Sequence, residues 1–452
     1  MNPSLPVVVI GAGPVGLAAA AHALSRGLTP MIFEAGAGIG AGIRRWGHVR
    51  LFSPWKFNVD NTCVALLREH GWSMPDGDAC PTGAELVEQY LEPLVTLTPL
   101  KSTVRLGTRV LHVTREHHDV LKDGRGDAPF LVRVSGAQGE EDVLAQAVVD
   151  ASGTIDTPGS LGSSGIPAIG ERASSERIFY GIPDVLNTLR DRYANRRVLV
   201  VGSGHSALNA LLDLARLAAD EPGTTIVWAI RRPELGQLLG GTRPDQLEER
   251  GRLGSQVRTL LTSGRLTLVT GFRITRIVKE SGGLVVIGDG DRTVGPVDEI
   301  IAATGFRPDW SILSELRLDL DPAVQSTRAL APLIDPNIHS CGTVRPHGAE
   351  ELQQPERNLF VIGMKSYGRA PTFLMLTGYE QARSVISAIA GDWEAARRVE
   401  LVLPETGVCS TDAAAGGCCG TDASGDMPAP IPVAPRAGKR LATLHASQGS
   451  CC

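Results

Sequence analysis

The sequence predicts an α/β architecture of two doubly wound, parallel-sheet domains, the second inserted into the first. Three observations predict it. Gly11-Ala12-Gly13-Pro14-Val15-Gly16 directly follows the apolar run ending at Ile10. A second glycine turn, Gly202-Ser203-Gly204-His205-Ser206-Ala207, directly follows Val198 to Val201. Strands without polar alternation are buried on both faces, as in parallel sheets. A glycine turn between such a strand and a helix permits a tight bend, close approach of backbone to a diphosphate, and close helix–strand packing. The third observation is the residue that closes the next strand in each unit: Glu34 in the first, Arg231-Arg232 in the second.

The 452 residues leave room for two or three domains, and 42% hydrophobic content is enough for a sizeable core. A net charge of −5 gives no basis for nucleic-acid or membrane binding. No apolar stretch approaches the ~20 residues of a bilayer span. The chain runs straight into its first strand without a signal-like segment, so a cytoplasmic protein is expected. Thiols would then be reduced by default.

Val7 to Ile10 is read as a buried strand, and Pro14 to Ser25 as an Ala-rich helix ended by Gly27. Met31 to Phe33 is the second strand. Glu34 closes it roughly 20 residues past the glycines, where a carboxylate accepts the ribose hydroxyls. The unit therefore suits an adenine dinucleotide without a 2′-phosphate, FAD or NAD. Ala35 to Asp60 is irregular and rich in Gly, Arg and Trp. It carries Arg44, Arg45, Trp46, His48, Arg50, Ser53, Pro54, Trp55, Asn58 and Asp60. Long irregular segments in compact domains tend to be functional. Its arginines and aromatics suit phosphate contacts and stacking, although Trp46 and Trp55 read equally well as core residues.

Val104 to Thr114, Phe130 to Val134 and Val143 to Ala151 are read as further strands. The last ends in Ala151-Ser152-Gly153, whose small side chains let backbone approach a cofactor. Leu161 to Arg177 is a polar connection into the second domain. There Val198 to Val201, a helix over Ala207 to Ala219, and Thr225 to Ile230 repeat the opening of the first. Arg231-Arg232 stand where an acid would select NAD, and a guanidinium pair matches a 2′-phosphate. The alternative is two solvated surface charges. Strands over Arg265 to Thr270, Leu284 to Ile287 and Val297 to Ala303 follow, the last leading into Ala303-Thr304-Gly305. Asn358 to Ile362 is another buried strand, ending at Gly363, and Phe373 to Ile389 is a helix. These divide the chain into 1–175, 176–325, a return segment 326–400 that closes over the first cofactor, and a low-complexity tail 401–452. The tail has too few large apolar residues to offset ordering entropy and is expected to be mobile.

The layout resembles the flavoproteins with two dinucleotide-binding, Rossmann-like domains, in which an NADPH domain is inserted into an FAD domain. The resemblance rests on the first fingerprint with Glu34, the second with Arg231, and Ile301-Ala302-Ala303-Thr304-Gly305-Phe306. It implies FAD on Gly11, Gly13, Pro14, Gly16, Glu34, Arg44, Trp46, Val110, Ala151, Ser152, Gly153 and Gly363. It implies NADPH on Gly202, Ser203, Gly204, His205, Ser206, Ala207, Arg231, Arg232, Ala303, Thr304 and Gly305. No C-x-x-C occurs, which argues against the disulfide reductases. The chain looks more like the flavin-dependent monooxygenases, although Val185 stands where their Phe-x-Gly-x-x-x-His segment has histidine.

Trp46 to Trp55, Tyr367 to Leu374 and the tail opening at Leu403-Pro404-Glu405 resemble the flavoprotein monooxygenases of bacterial arsenic-resistance operons. What this implies is hydride transfer from NADPH to FAD, oxygen addition to give a flavin C4a-(hydro)peroxide, and oxidation of trivalent arsenicals to pentavalent forms. The partners are then a small-molecule substrate, a trivalent arsenical, and molecular oxygen. Arg50, Asn58 and Asp60 are the candidate catalytic residues, because their segment should reach the flavin ring. Cys409, Cys418, Cys419, Cys451 and Cys452 are candidate soft-metalloid ligands, since vicinal thiols rarely bridge each other but can share a thiophilic ion. Other readings remain open: a monooxygenase of a small amine, sulfide or ketone; a flavoprotein reductase using Cys63, Cys80 or Cys341; or a metalloid-binding protein.

Overall fold

Val7 and Val9 face a layer of helices, Val8 and Ile10 face a second sheet, and all four are buried. This two-sided burial explains the unbroken apolar run, since successive strand residues point to opposite faces. The computed structural model describes residues 5–235, 248–339, 344–371 and 373–401. β1 (Val7–Ile10) turns through the first fingerprint into α1 (Pro14–Ser25) and returns as β2 (Pro30–Phe33). α2 (Asn61–Glu69) and β3 (Val104–Arg105) follow, with β3 parallel to β2.

The chain then leaves for an antiparallel layer of β4 (Arg109–Arg115), β5 (Phe130–Gly136) and β6 (Gly139–Ala145). It comes back as β7 (Ala147–Asp150), which pairs with β1 on the side opposite β2. The strand expected over Val104 to Thr114 is thus two strands, split where Gly107 takes φ +59° and the chain changes layer. The one expected over Val143 to Ala151 is likewise divided between β6 and β7.

The second unit repeats the plan. β8 (Ile178–Tyr180) and β9 (Arg197–Val201) lead through the second fingerprint to α3 (His205–Asp220) and β10 (Thr225–Ala229). α4 (Glu248–Thr262) and β11 (Thr267–Val269) come next. An antiparallel cover of β12 (Ile274–Glu280), β13 (Gly283–Gly288) and β14 (Thr293–Val297) precedes β15 (Glu299–Ala302). The chain closes with β16 (Leu359–Val361) and α5 (Met375–Ile389).

The parallel sheets run β16-β7-β1-β2-β3 and β11-β10-β9-β15-β8. In each, the chain departs in opposite directions from the strand that carries the fingerprint, which opens a crevice at that strand's carboxyl end. Val198 and Val200 pack with α3 while Leu199 and Val201 pack with the antiparallel cover. The fold class expected from the sequence is therefore the one observed. Leu161 and Ala168 already belong to the second core, and Leu313 and Leu316 to the first. Both crossings come earlier than residues 176 and 326.

The crossings themselves are tied together. Gly159 N donates to Gly305 O at 2.7 Å and Arg307 N to Thr157 O at 2.8 Å. Thr304 Oγ1 also donates to Gly159 O.

Candidate active site

At the first fingerprint the glycines do different jobs. A side chain on Gly16 would lie 2.1 Å from Gly11 O, so glycine lets the first turn of α1 sit against the turn. Gly11 has φ +101° and would place a Cβ 2.9 Å from Ala151 O. Gly13 faces open space, with nothing within 4 Å. That is the cradle a diphosphate needs, at the free N–H groups of a helix begun by Pro14. Glu34 stands at the end of β2, its carboxylate accepting from Ala12 N at 2.8 Å and Gly36 N at 2.7 Å. The residues present fit FAD.

Two further walls close this crevice. Ala151-Ser152-Gly153 leaves the end of β7 beside Gly11. Gly363, at φ +70°, ends β16 and lies over Val15 of α1, where a side chain would come within 3.5 Å. Gly363 N donates to Gln381 Oε1 of α5 at 2.8 Å. Gln381 Nε2 donates in turn to His347 Nε2 at 2.9 Å, and His347 Nδ1 donates to Arg345 O at 3.0 Å. Burial, the main cause, lowers the His347 pKa and keeps the ring neutral enough to accept.

The second fingerprint is built alike. Gly202, at φ +130°, would put a Cβ 2.2 Å from Ala303 O, and Gly204 faces open space. Ala207 replaces the third glycine and is fully buried in the helix–strand contact. Ser203, His205 and Ser206 are half-buried around the turn, and Arg231 and Arg232 follow β10 as exposed and half-exposed cations. Thr304 and Gly305 lie on the tied crossing described above. These residues fit a phosphorylated pyridine nucleotide. The His205 ring also meets Phe52 of the first domain, with centroids 5.1 Å apart.

The irregular segment is more structural than expected. Asn58 is buried and donates to Ser53 O and Pro54 O while accepting from Ser53 Oγ, so its amide is consumed in closing its own loop. Asp60 caps α2, accepting from Cys63 N at 2.9 Å, and pairs with His22 Nε2 at 3.2 Å. Burial pushes the Asp60 carboxyl up, but His22 and the Cys63 amide more than offset it and leave it below the usual carboxylate value. His22 lies more than two turns along α1 from Pro14, about 12 Å at 1.5 Å per residue. Both side chains are thus engaged in local structure.

Arg50 is exposed and donates to Cys80 O, with Glu85 3.7 Å away. Arg44 is engaged by Glu92 at 2.5 Å and Ile39 O at 3.1 Å. Trp46 packs on Gly83, Trp55 is buried, and Val110 is a core residue beneath the first sheet. The contacts of Arg44, Trp46 and Val110 thus serve the fold.

Sequence reasoning missed the most deeply buried ions at the crevice. Lys365 Nζ lies 2.6 Å from Asp150 Oδ2 and 3.3 Å from Ser152 Oγ. The signal was present: an acid ends the apolar run Ala147-Val148-Val149, and a lysine follows another, Leu359 to Met364. Cys63 is buried, and burial, helped by nearby Asp60, pushes its thiol well above the ordinary value. Cys80 is half-buried, whereas Cys341 and the five tail cysteines lie outside the described residues. No group of three or more His, Cys, Asp or Glu among the described residues is arranged to hold a metal.

A family model described as pyridine nucleotide-disulphide oxidoreductase matches residues 8–337. The chain belongs to that family. This family member is an FAD- and NADPH-dependent oxidoreductase. Among curated relatives, a ferredoxin–NADP reductase of Salinispora arenicola is 28% identical over 70% of this chain and 79% of its own length. Among solved structures, the bacillithiol disulfide reductase of Bacillus cereus superposes with a TM-score of 0.62 at 21% identity, covering 86% of this chain and 99% of that one. The cadaverine monooxygenase of Erwinia amylovora gives 0.60 at 15% identity, covering 88% and 97%. The last two likenesses concern the fold. No helix among the described residues of this family member is long and apolar enough to cross a membrane.

Proposed function

We propose that this oxidoreductase is an NADPH- and O2-dependent flavin monooxygenase that converts trivalent arsenicals, inorganic or organic, to pentavalent forms in the cytoplasm. The observation that carries the reading is the thiol inventory. The sequence holds no C-x-x-C, and burial pushes the Cys63 thiol up, away from the reactive thiolate form. Five cysteines stand instead in the last 44 residues. Thiolates there would capture a thiophilic As(III) substrate.

FAD, when bound, supplies a two-electron acceptor that can activate oxygen. The protein's part is to hold the diphosphate of each cofactor on its own helix N-terminus and to bring the two crevices together across the tied crossings. Two electrons come from NADPH, one oxygen atom goes to the arsenic lone pair, and the other leaves as water. The product is an oxyanion less thiophilic than the substrate.

The experiment is NADPH consumption by the FAD-loaded protein in air, with and without arsenite and a methylated trivalent arsenical, with speciation of the arsenic. Stimulated consumption with one As(V) per NADPH is the expected result. Absence of both stimulation and As(V) would overturn the arsenical assignment, and a screen of amines, sulfides and ketones would follow. The curated relatives named ferredoxin–NADP reductase favour a second reading, electron transfer from NADPH to a one-electron carrier. Rapid anaerobic reduction of a ferredoxin, without oxygen transfer in air, would select it.

A further inference from the structure

Asp150 and Lys365 form an ion pair that is 1% exposed or less at both ends. A buried pair contributes little to stability compared with apolar residues of similar size, because both charges lose their water. Its position is informative. Asp150 is the last residue of β7, and the next residue, Ala151, abuts Gly11 of the fingerprint. Lys365 sits in the turn Gly363–Tyr367, whose first residue lies over Val15 of α1. Ser152 joins the pair, with its Oγ donating to Asp150 Oδ1 at 2.6 Å and its N donating to the same oxygen at 3.0 Å. Lys365 also lies 5.4 Å from the Trp310 ring, on the strand of chain that returns from the second domain.

We propose that Lys365, Asp150 and Ser152 are positioning residues for FAD. The pair fixes the spacing between the two walls that flank the diphosphate cradle. Lys365 also keeps the Asp150 carboxylate from presenting an unbalanced negative charge to a dianionic diphosphate. The inference rests on the FAD site alone and holds whether the enzyme transfers oxygen or electrons.

The test is FAD titration of the deflavinated full-length protein, followed by flavin fluorescence, together with thermal unfolding of the same apoprotein. K365M leaves Asp150 alone beside the cradle and should weaken FAD binding about tenfold or more. K365M/D150N, which removes both charges, should recover most of that loss. S152A keeps the ion pair and should weaken FAD about threefold with apoprotein unfolding unchanged. If K365M does not fold, K365R, which keeps the charge and alters the spacing, is read in its place. Wild-type FAD affinity in S152A and in the folded Lys365 variant, with losses confined to the apoprotein's unfolding temperature, would overturn the proposal.

Discussion

Gly13 and Gly16 of the first fingerprint are the same residue type yet differ in what lies in front of them. Gly16 has a carbonyl 2.1 Å from any added Cβ, whereas Gly13 has nothing within 4 Å. Gly16→Ala should therefore destabilise the apoprotein by about 1–3 kcal/mol, the usual cost of overpacking. Gly13→Ala should leave apoprotein unfolding unchanged and weaken FAD binding instead. Unfolding curves and FAD titrations of the two variants check both halves, and an equal loss of stability would show that Gly13 is a packing glycine too. His347 gives a residue-scale pH dependence. Burial holds its imidazole below 6.5, so the unfolded chain takes up the proton first as pH falls. The stability it contributes is fully present above about 6.5 and is lost as pH drops below it towards the folded value. Glu351 and Glu380 lie near enough to moderate the shift without reversing it. The unfolding temperature of the wild type should fall faster than that of His347→Gln between neutral pH and pH 5.5 or so, and FAD retention should follow, because Gln381 links the ring to the Gly363 amide. Equal slopes would remove His347 from the pathway.

At the scale of elements, the fingerprint strands and helices were readable because three constraints coincide in them: burial on both faces, glycine where backbone must approach backbone, and helix periodicity. α5 was readable from its helix periodicity, and its buried Gln381, Arg383, Ser384 and Ser387 side chains find partners. The antiparallel covers were harder. The first half of β6, Gly139 to Asp142, is exposed and acidic and carries no hydrophobic signal; pairing with β5 extends the strand back from the apolar Val143-Leu144-Ala145. The irregular segment is ambiguous for a different reason. Polar residues suited to chemistry, Asn58 and Asp60, are equally suited to closing loops and capping helices, and sequence cannot say which partner reaches them first. Asp60 decides the point experimentally. As the cap of α2 with a buried ion pair, Asp60→Ala should lower stability by about 2 kcal/mol, at the upper end for a lost cap. Its kcat should be near that of the wild type at a temperature where both are folded. A selective loss of kcat without loss of stability would restore the catalytic role.

At the scale of the molecule, the described core holds both cofactor crevices, and the tail cysteines lie outside the described residues. A chain ending at residue 401 should therefore keep FAD, oxidise NADPH at a basal rate, and need a higher arsenite concentration for half-maximal stimulation. Steady-state kinetics of the truncated and full-length proteins measures this, and identical arsenite dependence would show that the tail thiols are not the capture site. The tied crossings set a mechanical limit on the same core. A domain inserted through two loose threads could swivel about a point. Here the threads are hydrogen-bonded to each other through Thr157, Gly159, Thr304, Gly305 and Arg307, so they act as a strap. Any movement of the nicotinamide-binding unit relative to the flavin crevice must therefore deform this paired ribbon or break its hydrogen bonds, and cannot be a free pivot about a single thread.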